Sequence, residues 1–266
     1  MRASILGCIA VLLLTACGSQ APKTTPKARK TIAAAAPIDS ARQTCPDWNP
    51  PDDGFDHGLN LDRPLPIPPE FSNIASTTRT VMTVQGLAGE PACILLDWMA
   101  EASDFSLTDD KRFFQFSHWS DNNFGFDVVD RVSGQDIKVG SEPVFSDDRS
   151  RIFSVQISDD STGDLEGIGI WEVRPDRVVQ IGFIPAGKVP SDRVFDLDNW
   201  AANDCLELYS LSTDDFAKLP DDEGVAYDRI MSGLPRLHYR LAPVAGKWRL
   251  EQTDRPSPCS SPPAPR

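Results

Sequence analysis

Apolar and polar residues alternate most regularly between residues 142 and 185. Asp, Gly and Pro residues divide this stretch into short segments, and alternating segments bounded by such residues are typical of β-strands. Three segments of this kind that follow one another closely favour antiparallel pairing. The stretch therefore predicts most of one small antiparallel sheet.

Two of these segments also indicate which side chains should be buried. Phe153 and Ser154 fall on opposite faces of one strand, because successive side chains of a strand point to opposite sides of the sheet. Ile181 and Phe183 fall on the same apolar face of another strand. We expect Phe153 and Ile181 to share one core. Ser154 faces solvent if the opposite face is solvated, and the alternative is a strand buried on both faces, as in the middle of a stack of blades.

Similar segments recur along the rest of the chain. A stretch at 92–99 fits a strand, but residues 95–102 could also form a short helix, and 214–219 fits a helical turn. Further strands are expected at 77–85, 109–119, 124–131, 135–139, 193–197, 205–211, 237–241 and 247–251.

Part of this pattern is a repeat. Residues 109–114 match residues 147–153 with one inserted residue, and the segment that begins at Gly125 matches the one that begins at Gly169. The offsets are 147 − 109 = 38 and 169 − 125 = 44 residues. A period of roughly 40 to 45 residues made of four short strands is the sequence signature of a propeller blade.

The sequence FSDDRSRIF at residues 145–153 resembles the FSPDGRRIAF repeat of WD-like bacterial propellers of the TolB type. Asp147 and Arg149 stand where that family has the Pro and the Gly of a tight turn. The resemblance covers residues 105–185 and matches no partner-binding motif. We therefore expect an all-β fold, an incomplete or small propeller-like stack of antiparallel four-stranded units over residues 45–259. A twisted β-sandwich is the alternative.

The N-terminal residues predict export. Residues 1–16 contain an apolar run that is too short to span a bilayer as a mature helix, which is typical of a signal peptide. The sequence Leu14-Thr15-Ala16-Cys17 resembles the bacterial lipobox, in which cleavage falls before the cysteine and its thiol takes the lipid. The resemblance implies a lipoprotein attached to the membrane through Cys17. The alternative is an ordinary secretory signal with an incidental cysteine.

A tether is expected to follow the lipidated residue. Residues 17–44 are rich in Pro, Ala, Thr and Lys and nearly lack large apolar side chains, so they cannot offset the entropy of ordering. The 27 residues after Cys17 would span about 30 Å as a flexible coil and roughly 80 Å as an extended chain. A short disordered tail is expected at 260–266.

Charge divides at the same boundary. The tether has five cationic residues and Asp39, a net charge of 5 − 1 = +4, and these cationic residues are Lys23, Lys27, Arg29, Lys30 and Arg42. From residue 45 onward there are 26 − 1 − 5 = 20 Lys and Arg and 39 − 1 = 38 Asp and Glu, a net charge of −18. Such a domain has no basic surface for phosphates, so a nucleic acid partner is excluded.

Four cysteines remain after Cys17, and an even number in an exported chain implies two disulfides. Their spacing is too wide for a CxxC metal or redox motif. Domain termini often lie close together. We therefore expect Cys45 to pair with Cys259, which leaves Cys93 to pair with Cys205.

No motif for catalysis or for a cofactor occurs in the sequence, and we expect no cofactor. One acidic stretch has the spacing of a calcium loop, with oxygen-bearing side chains at template positions 1, 3, 9 and 12. These residues are Asp196, Asp198, Asp204 and Glu207. Template position 6 is Ala201 rather than Gly, and the alternative is a set of solvated turns.

Aromatic residues are the remaining candidates for a binding surface. They would either line a groove at the ends of the sheets or form part of the core. The residues concerned are Phe113, Phe116, Trp119, Trp171 and Trp200. The three histidines, His57, His118 and His238, are far apart and belong to no motif.

These features favour a non-enzymatic lipoprotein of the cell envelope, on the periplasmic face of the outer membrane, whose β domain binds another envelope protein. Gly18, in place of Asp, resembles the outer-membrane signal of enteric lipoproteins. The alternative is a cell-wall or carbohydrate-binding module, or a hydrolase that uses loop carboxylates such as Asp196, Asp198 or Glu207.

Replacing Cys17 with Ala should release the mature chain from the membrane fraction, because the residue that carries the lipid is lost. Cell fractionation followed by immunoblotting measures the outcome. The matched control is C8A, since Cys8 lies within the apolar run that is removed. A C17A chain that stays in the membrane pellet would show that the lipoprotein interpretation is wrong.

Overall fold

A computed structural model describes residues 44–48, 63–96, 99–119, 124–157, 163–202, 204–219, 230, 233–254 and 259, without the side chains of Asp198 and Asn199. The expected signal peptide, the lipidation site Cys17, the tether up to residue 43 and the tail at 260–266 lie outside these residues. No helix within the described residues is long and apolar enough to cross a membrane.

The described chain forms fifteen strands in four antiparallel sheets. Sheet 1 contains β1 (Ala75–Thr77), β2 (Val81–Val84) and β3 (Ala92–Leu95). Sheet 2 contains β4 (Glu101–Leu107), β5 (Phe113–Trp119), β6 (Phe124–Asp130) and β7 (Gln135–Lys138). Sheet 3 contains β8 (Val144–Phe145), β9 (Arg151–Gln156), β10 (Gly167–Val173) and β11 (Val178–Pro185). Sheet 4 contains β12 (Arg193–Ala202), β13 (Cys205–Ser212), β14 (Leu237–Val244) and β15 (Lys247–Thr253).

Each strand pairs with its neighbour in sequence, so every sheet is a simple meander. The helical elements with described bounds are two 3₁₀ turns, Pro69–Phe71 and Ala186–Lys188, and one short helix, α1 (Thr213–Phe216). The all-β class and the antiparallel four-stranded units expected from the repeat are confirmed. The described chain forms four sheets in series and not the two packed layers of the alternative, a β-sandwich.

Successive sheets pack on one another through three apolar clusters of buried side chains. Between sheets 1 and 2 the cluster includes Met82, Ile94, Phe114 and Phe116. Between sheets 2 and 3 it includes Phe113, Val128, Ile152 and Trp171. Between sheets 3 and 4 it includes Phe153, Ile170, Leu208 and Tyr239. No such cluster joins sheet 4 to sheet 1 within the described residues.

Strand β9 is buried on both faces as a result. Phe153 packs in the cluster with sheet 4 together with Ile181, so the expected shared core is confirmed. Ser154 is only 1% exposed, so β9 follows the alternative of a strand buried on both faces and not the one with a solvated face. Its hydroxyl donates to the Ser141 carbonyl oxygen at 3.0 Å and accepts from the Ser141 N–H at 3.2 Å. A polar residue is therefore stabilised inside the stack by local hydrogen bonds.

The prediction that Ile181 and Phe183 share one apolar face of β11 is wrong for Phe183. Phe183 is exposed and Ile184 is buried, the reverse of a regular alternation from Ile181. The pairing between β10 and β11 is irregular here, and it places Ile181 as an extra residue in β11. A bulge of this kind shifts the alternation by one residue. Gly182 adjoins the bulge, where a Cβ atom would lie 2.4 Å from the Trp248 ring.

The repeat is preserved as a turn that leads into the second strand of sheets 2 and 3. The Lys111 N–H donates to the Thr108 carbonyl oxygen at 2.7 Å, and the Arg149 N–H donates to the Ser146 carbonyl oxygen at 2.7 Å. Lys111 and Arg149 both have a positive φ, of 61° and 56°. Arg149 thus adopts the left-handed conformation of the glycine that it replaces in the resembled repeat.

The structural register corrects the sequence alignment. Equating the two turns gives a constant offset of 146 − 108 = 38 residues and needs no inserted residue. On the following strands Gly125 lies opposite His118, and Gly167 lies opposite Gln156. Since 156 − 118 is also 38, the counterpart of Gly125 is Gly167 and not Gly169.

The two disulfides lie at opposite ends of the series of sheets. Cys45 pairs with Cys93 and Cys205 pairs with Cys259, so the four cysteines are oxidised but the expected pairing is wrong. The reason is that Cys93 lies on β3 in the first sheet and Cys205 on β13 in the last. Each bond fastens a terminal segment to its own sheet.

Replacing Phe153 with Ala should lower the free energy of unfolding by about 3 to 5 kcal/mol, because a large buried ring is lost. Replacing Ser154 with Ala should lower it by about 1 to 2 kcal/mol, since the Ser141 backbone groups lose their partner. Urea unfolding of the two variants measures both values. A change below about 0.5 kcal/mol for S154A would mean that the hydroxyl is solvated.

Candidate functional site

Large apolar side chains are exposed at few places on the described surface, and most of them gather along one groove. Seven are exposed, namely Leu95, Trp119, Phe124, Val144, Phe183, Phe216 and Ile230. Four of the seven line two adjoining cavities, with exposed fractions of 51% for Trp119, 48% for Phe124, 37% for Val144 and 43% for Phe216. We call the two cavities together the edge groove.

The larger cavity lies where the first strand of sheet 3 faces the first strand of sheet 4. Its volume is about 1050 Å³, and Val144 of β8, Leu197 of β12 and Phe216 of α1 contribute apolar walls. Strands β8 and β12 are edge strands of their sheets. An edge strand presents backbone N–H and C=O groups that can pair with another extended chain.

The smaller cavity, which we call the aromatic pocket, has a volume of about 430 Å³. Its floor is one face of sheet 2, where two rows of three side chains cross β4, β5 and β6. The first row is Glu101, Trp119 and Phe124, and the second row is Ser103, Ser117 and Phe126. Gly140, Ser141 and Glu142 form the wall.

The two cavities are neighbours, because Phe124, Ser141 and Glu142 line both. The charged side chains along the edge groove are mainly acidic. Apart from the buried His118, the described ones are Glu101, Glu142 and Asp196, against one cationic residue, Arg193. The edge groove therefore combines apolar anchors with carboxylates.

A buried cluster of charged side chains lies beneath the aromatic pocket. His118 Nδ1 lies 2.8 Å from Asp127 Oδ2, and His118 Nε2 lies 3.0 Å from Asp164 Oδ2. On the other side of Asp127, Oδ1 is 2.5 Å from Lys138 Nζ. The cluster thus links β5, β6 and β7 of sheet 2 to the connection between β9 and β10.

The cluster holds His118 in its charged form. Burial lowers the pKa of His118, but the hydrogen bonds and charges of Asp127 and Asp164 outweigh this effect and raise the pKa to about 9. Gly125 is needed at this point, because a Cβ atom there would lie 2.4 Å from Asp164 Oδ2. With both ring nitrogens occupied by carboxylates, His118 stabilises the floor of the pocket.

Sequence reasoning did not identify this cluster, because its members are brought together by register and by a contact between two sheets. The one available signal is the pairing itself. Once β5 and β6 are aligned, His118 lies opposite Gly125. Asp127, two residues further along β6, is then on the same face of the sheet as His118. Asp164 comes from another sheet and gives no local signal.

Most of the five aromatic candidates are core residues. Phe113, Phe116 and Trp171 are buried, and Trp200 is partly buried against the cluster between sheets 3 and 4. Only Trp119 among the five is exposed in the edge groove.

The calcium-loop candidates lie along a hairpin and not in one loop. Asp196 lies on β12 and Glu207 on β13, while Asp204 lies in the turn between them. Asp196 accepts a 2.6 Å hydrogen bond from the Tyr209 hydroxyl, and the buried Glu207 accepts from the Cys259 N–H at 3.1 Å. The side chain of Asp198 lies outside the described residues. The side chains that are described include no cluster of three or more residues able to hold a metal ion.

No protein-family model matches the chain, and no curated protein matches its sequence. One solved structure with some similarity is a complex from S. cerevisiae that contains Dbp5, Nup159, Gle1, IP6 and ADP. The match has a TM-score of 0.33 and 8% sequence identity, and it covers 67% of this chain and 44% of that chain. The N-terminal domain of Nup159 gives a TM-score of 0.31 with 8% identity and the same coverage, 67% and 44%.

A third similar structure is TolB from Acinetobacter baumannii, with a TM-score of 0.20, 16% identity, and coverage of 59% of this chain and 41% of that one. The chain spans less than half the length of each of these three proteins. The description of the fold rests on the four sheets themselves.

The free energy of unfolding should fall as the pH rises from about 6.5 to 9. The folded-state pKa of His118 is raised above its unfolded value, so its contribution is complete below pH 6.5 and is lost through pH 9. The loss should be about 3 kcal/mol. Urea unfolding at several pH values measures it.

Two variants test whether His118 is the cause. H118Q should be less stable at pH 6 and should show little change in stability across the same interval. D164N keeps the Asp127 contact and should retain part of the pH dependence. An H118Q curve parallel to that of the wild type would assign the loss to other groups.

Proposed function

We propose that this chain is a non-enzymatic lipoprotein of the cell envelope, anchored through Cys17, whose β domain binds an extended segment of a partner protein in the edge groove. The observation that carries the proposal is the concentration of four of the seven exposed large apolar side chains along that groove. A contiguous exposed apolar surface with a polar rim is typical of a protein-binding site.

The shape of the edge groove suits an extended segment. The larger cavity runs between the edge strands β8 and β12, where a bound segment would find backbone donors and acceptors as well as side-chain pockets. Binding of this kind obtains affinity from main-chain hydrogen bonds and specificity from pockets for alternate side chains. Val144 and Phe216 would contact the apolar side chains of such a segment.

The predicted tether would support an interaction role. If the 27 residues after Cys17 are flexible, as their composition predicts, they would let the domain search a shell of about 30 Å around its anchor, and more when extended. Attachment to a membrane also raises the effective concentration of the domain near other envelope proteins.

A cell-wall polymer is the second candidate ligand, because Trp119 and Phe124 lie beside Glu101 and Glu142 in the aromatic pocket. The carboxylates first considered for this role are less suitable. Asp196 is hydrogen bonded to Tyr209, and Glu207 is buried and holds the Cys259 backbone.

The proposal is tested by a photo-crosslinking amino acid placed at Phe216 of the full chain in cells. We expect it to capture a protein, whereas the same substitution at Phe183, an exposed aromatic outside the edge groove, should not capture that protein. Overlapping peptides of the captured protein are then titrated against the exported C17A chain by fluorescence anisotropy.

Combined V144S and F216S substitutions should weaken the peptide by tenfold or more, because exposed apolar anchors carry much of the affinity of an interface. The matched control combines L95S and F183S, which remove the same kind of exposed side chain elsewhere, and it should bind like the wild type. Equal binding by the two double variants would contradict the proposal. Cosedimentation with purified cell-wall polymer, lost on W119A and F124A, would favour the second candidate instead.

A further inference from the structure

The aromatic pocket differs from the rest of the edge groove in its chemistry, and the difference points to one kind of side chain. Resting on the proposed function, we infer that this pocket takes the cationic side chain of an arginine in the bound segment. A lysine carries the same charge but would make weaker contacts in this pocket. Only the planar guanidinium of arginine both stacks on aromatic rings and pairs with carboxylates through two hydrogen bonds.

The first support is a pair of exposed aromatic rings. Trp119 and Phe124 lie directly opposite each other at the end of the β5–β6 hairpin, and about half of each side chain is exposed. Two large apolar side chains left in solvent at a hairpin end cost free energy unless a ligand covers them. The faces of aromatic rings attract cations, and tryptophan does so most strongly.

The second support is the position of two carboxylates. Glu101 lies directly across β4 from Trp119, so one row of the sheet places a carboxylate, an indole and a phenyl ring side by side. Glu142 contributes a second carboxylate from the wall. Both glutamates are exposed, and neither makes an ion pair with another described residue. Their charge is therefore available to a ligand.

The other described residues that line the aromatic pocket supply hydrogen-bond acceptors, and none of them supplies a free cation that would compete with the ligand for the carboxylates. The second row of the floor contains Ser103 and Ser117, whose hydroxyls lie 2.7 Å apart and whose oxygens can accept hydrogen bonds from a guanidinium. The described lining residues include no lysine or arginine. His118 is charged, but both of its ring nitrogens already contact Asp127 and Asp164.

Charge at long range supports the same ligand. The region from residue 45 onward has a net charge of 20 − 38 = −18. A field of this sign accelerates the approach of a cationic segment and disfavours an acidic one. The local carboxylates then select the cationic side chain from among the approaching segments.

A pair of small probes separates charge from shape. N-acetylarginine methylamide and the isosteric, neutral N-acetylcitrulline methylamide are titrated into the exported full chain carrying C17A. Binding is followed by the indole N–H resonance of Trp119, which is assigned with W119F. The arginine probe should bind at least fivefold more tightly than the citrulline probe, and 0.5 M salt should reduce that ratio.

Variants with equal changes in net charge locate the effect. E101Q combined with E142Q should bring the ratio of the two probes close to one. The control, E70Q combined with E90Q, removes two exposed carboxylates outside the pocket and should leave the ratio unchanged. Equal binding of the two probes to the unmodified pocket, or an equal loss in both double variants, would overturn the inference.

The outcome is distinguishable from failure of the proposed function. V144S combined with F216S alters the larger cavity alone and should not change the binding of the arginine probe. If a partner peptide without arginine binds the groove normally, the proposed function stands and the inference falls. If the arginine probe binds as expected but no partner peptide depends on Val144 and Phe216, the inference about the pocket stands and the proposed function falls.

Discussion

Burial of the middle sheets on both faces is the constraint on which the rest of the structure depends. In β5, Phe113 packs toward sheet 3, whereas Phe114 and Phe116 pack toward sheet 1. In β9, Ile152 and Phe153 divide in the same way between sheets 2 and 4. The central strands of each middle sheet are therefore packed on both faces, and their burial depends on both neighbouring sheets.

A sheet packed on both faces admits polar side chains only where their hydrogen bonds are satisfied. Arg112 and Asp130, both buried, form two hydrogen bonds of 2.8 and 2.9 Å, and Asp130 also accepts from the Ser133 hydroxyl. Ser154 is satisfied by Ser141, and His118 by two carboxylates.

Some of these polar residues also join one sheet to the next. The Arg131 side chain donates to the Gln85 carbonyl oxygen at 2.7 Å, and the Gln156 amide donates to the Phe124 carbonyl oxygen at 2.7 Å. Directional hydrogen bonds of this kind fix the position of each sheet on its neighbour, which apolar contacts alone specify weakly. The shape of the edge groove follows from these positions.

The parts of the structure that sequence could predict are those that depend on neighbouring residues. Alternation identified the strands at 113–119 and 151–156, and the turn residues between them indicated four-stranded units. The phase of a strand was predictable only up to the bulge at Ile181. The burial of Ser154 was not predictable, because it depends on a second layer that alternation does not reveal.

The candidate site was less accessible to sequence for the same reason. Nothing in the sequence marks Trp119 and Phe124 as exposed, since Phe113 and Phe116 on the same strand as Trp119 are core residues. The edge groove combines residues from β4 to α1, and the cluster around His118 needs Asp164 from another sheet. The disulfide pairing also depended on the order of the sheets in space.

The connectivity of the two cystines bears on how the chain can mature. Each bond joins cysteines that are consecutive among the four, Cys45 with Cys93 and Cys205 with Cys259, at sequence separations of 48 and 54. A chain that enters an oxidising compartment from its N-terminus exposes the first pair before the second. Oxidation in order of appearance then gives the native bonds directly, and no mixed pairing has to be exchanged by an isomerase.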